Sequence, residues 1–205
     1  MRSYSNYSVR DLLDAFSSTA PAPGGGAAAA LTGALGVSLL LMAAGIRSSR
    51  PGESSGVSEL ADATDRLRSL RPTIESLADR DAEAYTSVIT ALRMPADSGE
   101  RRKAALDSAI RAATDVPLEI MRTSRRALRE APVVATYSIR STHGDVGVAI
   151  ELLRSAVRSA GVTIDANLAS LKDAEYASAV KTERQRLDTE SAADAESALS
   201  MVRSG

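Results

Sequence analysis

Apolar residues recur at helical spacing along most of this chain. Val9, Leu12, Leu13 and Phe16 fall at i, i+3, i+4 and i+7, which predicts a short amphipathic helix opening at Ser8. Ser8 with Asp11 has the form of a capping box, aspartate standing where glutamate is usual. Pro21 and Pro23 end that helix. Gly24-Gly25-Gly26 then opens the most apolar segment, an Ala/Leu helix predicted to about Arg47. Gly33 and Gly36 on it allow another backbone to come close. After a Ser/Gly/Pro loop at 48–56, Leu60, Leu67, Leu70, Ile74, Leu77, Tyr85 and Val88 mark a long helix to Leu92. Pro72 is expected to kink or interrupt it. Met94 to Gly99 reads as a turn. A helix over about 100–130 follows, with Leu106, Ile110, Leu118, Met121 and Leu128 inward and a kink at Pro117. Residues 131–144 read as irregular. Val146, Ile150, Leu153, Val157, Ile164, Leu168 and Leu171 mark a helix over about 145–172, and a more polar helix covers about 174–201. No strand pair and no fixed-period repeat is legible. The expected fold is all-α: one domain over 1–205, an up-and-down bundle of about five long helices plus a short N-terminal helix.

Composition narrows the chemistry. The 205 residues suffice for one substantial core. Aromatics are scarce, Phe16 and five tyrosines with no tryptophan, and small aliphatics suit close helix packing. A net charge of −1 gives no bulk attraction to nucleic acid or to a membrane surface. There is no cysteine and one histidine, His143, which excludes thiolate catalysis, thiolate metal sites and a multi-histidine metal site. Residues 27–46 are as long as a bilayer span. They are rich in Ala and Gly, lack a flanking Trp or Tyr belt, and are read as a buried helix. Asp11 and Asp14 do not suit a signal peptide. A cytoplasmic location is expected.

A polar residue on an apolar stripe is more informative than one on a wet face. Asp81 lies four residues after Leu77 and four before Tyr85, on the stripe itself. It either pairs with an arginine of a neighbouring helix or serves a ligand. Asn167 lies between Ile164 and Leu171; it makes an interhelical hydrogen bond or reads a ligand's donor and acceptor edge. Asp145 opens the fifth predicted helix, as a first-turn carboxylate or as a group beside a cationic substrate. His143, two residues earlier, is a solvated loop residue or a proton carrier. Gly24, Gly25 and Gly26 offer backbone N–H groups to an anion, but no Lys-Ser/Thr follows and no strand precedes, so neither nucleotide-loop pattern is met.

Four segments together resemble the family of methenyltetrahydrofolate cyclohydrolases and the cyclodeaminase domain of formiminotransferase-cyclodeaminase, over about residues 8–190. They are Ser18-Thr19-Ala20-Pro21-Ala22-Pro23-Gly24-Gly25-Gly26, then Ala78-Asp79-Arg80-Asp81-Ala82-Glu83-Ala84-Tyr85 with Met94-Pro95, then Ala113-Thr114-Asp115-Val116-Pro117-Leu118, and Asp145-Val146-Gly147-Val148-Ala149. The chain departs from the family pattern at Ser138-Ile139, Gly144, Gly45-Ile46-Arg47 with Arg50, and Thr163-Ile164, while Asn167 is kept.

The resemblance implies a helical homodimer that binds a reduced folate as substrate, with no separate cofactor and no metal. It implies hydrolysis of 5,10-methenyltetrahydrofolate to 10-formyltetrahydrofolate. Three alternatives stay open: formiminotetrahydrofolate cyclodeaminase, an enzyme of another cyclic amidine or imine, and a non-catalytic folate- or partner-binding dimer. Asp145, His143 and Asp81 are the expected catalytic groups. Gly24, Gly25, Gly26, Arg47, Arg50, Tyr85 and Asn167 are the expected substrate-binding residues, Arg47 or Arg50 taking the glutamate carboxylates. The glycine turn, Asp81 and Asp145 are expected to wall one folate-sized cleft.

Overall fold

A computed structural model describes residues 3–48, 57–95 and 99–204. The loop expected at 48–56 and Arg50 lie almost wholly outside them. The described residues are predominantly helical: α1 (Val9–Ser17), α2 (Gly25–Ser48), α3 (Val57–Leu92), α4 (Gly99–Leu128), α5 (Ala131–Tyr137), α6 (His143–Leu168) and α7 (Ala174–Ser204), with 3-10 turns at Tyr4–Asn6 and Arg140–Thr142. Five are long, as the periodicity requires, and α1 is short.

Local chemistry sets several boundaries. Ser8 caps α1: its Oγ accepts from the N–H of Asp11 at 3.1 Å and donates to the Asp11 carboxylate at 2.7 Å. Asp173 caps α7 by accepting the Tyr176 N–H at 2.9 Å, and this N–H chiefly holds its carboxyl below the usual range. Two expectations are corrected. Residues 131–144 are not irregular: Pro132 sits in the first turn of α5, where its missing N–H costs nothing. Nor does Pro72 interrupt α3, which runs unbroken for 36 residues with Pro72 on its exposed face.

Contacts along α2 give the topology. Gly25 meets Thr163, Gly33 meets Ala156 and Gly36 meets Leu153. Numbers rise on α2 as they fall on α6, so the two are antiparallel. Gly26 meets Asp81 and Gly33 meets Ile74, so α3 is antiparallel to α2 as well. The helices α2, α3, α4 and α6 form an up-and-down four-helix core, and α7 lies outside on α6 and α4. Within the middle of α2, Gly33 and Gly36 are the close approaches. A Cβ at Gly33 would overlap Ile74, and one at Gly36 would lie 2.8 Å from Leu153 Cγ and 3.0 Å from the Ala149 carbonyl.

The apolar α2 is long enough to cross a bilayer by length and composition. In the structure its Val37, Leu40, Ala43 and Ala44 are fully enclosed by the bundle. Its other face is not covered. Leu35 is 61% exposed and Met42 40%, and on the adjoining face of α6 Val148 is 53% and Val162 66% exposed. The short α1 contributes less than its pattern implies: Leu12 and Phe16 pack on the core, while Val9 and Leu13 stay exposed.

Candidate active site

The glycine turn and Asp81 build one compact unit. Asp81 is 9% exposed on α3 and has no ion-pair partner among the described residues. Its Oδ2 instead accepts the backbone N–H of Ala27, at 2.9 Å, in the first turn of α2. A neighbouring helix thus supplies the carboxylate that orphan helix-start amides need. Burial raises the pKa of Asp81, the Ala27 N–H opposing it. Asp81 is therefore a carboxyl disposed to hold its proton beside a helix N-terminus.

The three glycines have three different roles. A Cβ at Gly26 would overlap the Asp81 carboxylate, so only glycine lets α2 and Asp81 meet. At Gly25 a Cβ would make ordinary contact with Thr163 Oγ1 at 3.5 Å, and at Gly24 it would meet nothing. The Gly24 carbonyl accepts the Ala28 N–H at 3.1 Å. The N–H groups of Gly25 and Gly26 have no acceptor among the described residues. They are a pair of donors at the positive end of a 24-residue helix.

An N-terminal cover that the periodicity does not reveal completes this end. The carboxylate of Asp79 accepts the Tyr4 N–H at 2.8 Å and the Ser3 hydroxyl. Tyr4 is 3% exposed and packs in one cluster with Ala27, Ala30, Leu77, Ala78 and Ala82. Its ring meets Tyr7 edge to face at 5.5 Å, and its hydroxyl is buried without a partner. Burial, then the charges of Tyr7, Asp79 and Asp81, push the phenol pKa up. The available signal was a tyrosine pair at i and i+3 in an aromatic-poor chain.

The remaining expected residues are placed elsewhere. Asn167 is committed to the scaffold: its Nδ2 donates to the Ala113 carbonyl at 2.6 Å. Pro117 has no N–H to give the carbonyl four residues back, and Ala113 is that residue. Asn167 of α6 fills the gap that the proline leaves in α4, which runs on as one helix. Tyr85 lies one turn beyond Asp81 and is 44% exposed. His143 and Asp145 lie in the first turn of α6, and no side chain caps that helix start. Both are partly exposed.

The expectation of one cleft within the chain is corrected by helix direction. The glycine turn lies level with Thr163 of α6. At about 1.5 Å per residue, Asp145 is about 27 Å from that level, at the other end of the bundle. Arg47, near the C-terminus of α2, shares the end of Asp145. The chain thus carries two half-sites. One is a buried carboxyl with free amides; the other holds a carboxylate, an imidazole and the backbone of Arg47. Among the described residues no three His, Asp or Glu side chains converge as metal ligands.

An up-and-down bundle with a carboxyl set against a glycine-opened helix start defines a class of helical folds with a carboxyl-and-amide site. Within that class, the model of the formiminotransferase-cyclodeaminase family matches residues 8–186, and the chain belongs to that family. It is 31% identical to the methenyltetrahydrofolate cyclohydrolase of Methylorubrum extorquens over 175 residues, 84% of each chain. It is 31% identical to the formimidoyltransferase-cyclodeaminase of Sus scrofa over 88% of its own length, and spans about a third (34%) of that longer relative. The crystal structure of a formiminotetrahydrofolate cyclodeaminase from Thermotoga maritima has the same fold, with a TM-score of 0.81 at 21% identity, covering 98% of this chain and 96% of that one.

Proposed function

We propose that the protein is a cytoplasmic methenyltetrahydrofolate cyclohydrolase that works as a homodimer, each site shared between two chains. The observation that carries this is the Asp81 carboxyl, buried and hydrogen-bonded to the start of α2 beside two N–H groups that have no acceptor among the described residues. Family membership and the 31% identity to a cyclohydrolase across most of both chains support the substrate.

The chemistry asks for few groups. The bridging carbon of the methenyl cation is already electrophilic. Water adds to it as a base takes a proton, giving a tetrahedral carbon that bears a hydroxyl. The bond to N5 then breaks as N5 receives a proton, the hydroxyl proton leaves, and the formyl group remains on N10. Asp81, whose pKa burial raises, is in its protonated form the donor to the departing nitrogen. The Gly25 and Gly26 N–H groups steady the oxygen as charge develops on it. Asp145 is the base for the water, with His143 beside it as the proton's way out.

Asp81 and Asp145 act on one carbon only if a second chain brings the missing half. A two-fold axis across the exposed face of α2 and α6, through Leu35 near the middle of α2, lays the helices antiparallel. That operation brings the glycine turn of one chain to the partner's Asp145. The exposed Leu35, Met42, Val148 and Val162 give the face an apolar centre.

The first test is the loss of near-ultraviolet absorbance when methenyltetrahydrofolate is hydrolysed; a wild-type rate equal to buffer rules out the cyclohydrolase. The second is complementation. Asp81→Asn and Asp145→Asn are each expected to be inactive. Mixed dimers of the two contain one intact site, so co-expression should restore about a quarter of wild-type activity. No restoration would place both residues' work within a single chain. Ammonia release from 5-formiminotetrahydrofolate measures the cyclodeaminase alternative, which needs the same carbon and the same donor.

A further inference from the structure

We propose that the cleft between α6 and α7 binds the glutamyl carboxylates of the folate, with Arg158 and Arg154 as the groups that hold them. This rests on the folate reading of the site. It replaces Arg47 and Arg50, the residues first expected to do this work, with a pair on the helix that flanks the glycine turn.

The cleft has a volume of about 500 Å³ and is lined by Arg154, Ser155, Arg158 and Ser159 of α6 and by Arg184 and Asp188 of α7. Its three arginines differ in what they already hold. Arg184 is occupied: it contacts Asp165 at 2.8 Å and Asp188 at 3.7 Å, and it packs over Gly161, where a Cβ would lie 3.2 Å from its Nε. Arg158 has no ion-pair partner among the described residues. Arg154 reaches only Glu151, which also lines the cleft, at 4.0 Å, and its Nε is buried without an acceptor. Two guanidinium groups one helical turn apart on the same face repel each other. An anion between them removes the repulsion and satisfies the orphan Nε. Carboxylate is the anion whose geometry a guanidinium fork matches with two hydrogen bonds. A glutamyl group carries two carboxylates, one for each arginine.

Position connects this cleft to the reacting end. Val162 lines the cleft and is 66% exposed, and the next residue, Thr163, is the one that faces Gly25. From Thr163, Arg158 and Arg154 lie about 8 Å and about 14 Å along the helix axis and about 140° and about 180° around it. A folate with its pterin at the glycine turn reaches them by passing its aminobenzoyl spacer around the outer face of α6 over Val162, which sets its glutamate between Arg158 and Arg154. Ser155 and Ser159 supply hydroxyl donors on the same face.

The test is calorimetric binding of 5-formyltetrahydrofolate and of 5-formyltetrahydropteroate, which lacks the glutamate, to wild-type protein and to Arg158→Ala. Arg158 is exposed, so the variant is expected to keep the wild-type melting temperature. Wild type should bind the glutamyl ligand at least tenfold more tightly than the pteroate. Arg158→Ala should lose most of that preference, by weakening the glutamyl ligand alone. The proposal is overturned if wild type treats the two ligands alike or binds neither, or if Arg158→Ala weakens both equally or neither. It is also overturned if inorganic phosphate competes equally with both ligands, which marks a free-anion site. Binding that depends on glutamate and Arg158, in a protein that does not hydrolyse methenyltetrahydrofolate, keeps this inference and removes the cyclohydrolase.

Discussion

The two ends of the bundle are built in opposite ways. At the glycine end both carboxylates have intrachain partners: Asp79 holds the Tyr4 turn, Asp81 holds the start of α2, and the pair is roofed by Tyr4. At the other end α6 begins at His143 without a side-chain cap, and His143 and Asp145 stay partly exposed. The closed end buries a carboxyl, which raises its pKa, and needs Gly26 to let it reach α2. The open end keeps its charges in water, where they are inexpensive and ready for an incoming surface. A site that needs both kinds of group can take one from each end only by joining two chains.

The sharpest way to break this contrast is to neutralise each carboxyl. Asp81→Asn keeps an acceptor for Ala27 but has no proton to donate, and turnover should fall about 100-fold or more. Its stability at neutral pH should equal or exceed wild type in thermal melts. The sign follows from linkage. Burial sets the folded pKa of Asp81 above the unfolded value, so its contribution to stability is full below the unfolded pKa and is lost as pH rises through the folded one. A melting-temperature profile against pH should show a downward step across that interval in wild type and none from this source in Asp81→Asn. Asp145→Asn should lose turnover to a similar extent; an unchanged rate would reduce Asp145 to a helix-start charge.

Packing at the closed end gives the next effect. Gly26→Ala forces a methyl into the Asp81 carboxylate and should cost about 3 kcal/mol in denaturant titration, with loss of activity. Gly24→Ala, with open space around it, should change stability by less than about 0.5 kcal/mol. Equal costs at the two positions would show that the turn itself, not Asp81, sets the requirement.

A smaller effect is expected where α4 meets α6. Asn167→Leu leaves the Ala113 carbonyl buried and unpaired above Pro117, for about 1–3 kcal/mol. KM for the folate should not change; a raised KM with unchanged stability would return Asn167 to the binding site. The smallest effect belongs to Tyr4. Tyr4→Phe keeps the ring and deletes a buried hydroxyl that has no partner, so the melting temperature should hold or rise slightly. A clear fall would mean that the hydroxyl has a partner in solution.

Much of this was legible in the chain. Helical periodicity predicts the five long helices, because a core-facing stripe at 3.6-residue spacing has no other stable use. Asp81 and Asn167 stood out as polar residues on apolar stripes, and Gly33 and Gly36 as close approaches. Their partners were not legible. The arginine expected opposite Asp81 is the backbone of Ala27, and the partner of Asn167 is the carbonyl that Pro117 leaves free. Periodicity gives the face a residue occupies and carries no information about which helix stands across from it. The α5 segment was missed for a different reason: seven residues are too few to show a period.

The sequence by itself determined an all-helical bundle, the family, and the residue types on which folate chemistry can draw. Those follow from local pattern and from the order of motifs along the chain. Only the tertiary structure decided that those motifs lie at two ends rather than around one cleft. The cause is the antiparallel run of α2 and α6, which sets Gly26 and Asp145 apart by most of a helix length. It also decided which glycine is indispensable, since that depends on Asp81 arriving from another helix. Distance between motifs in space is a property of helix direction and packing, which no single segment encodes.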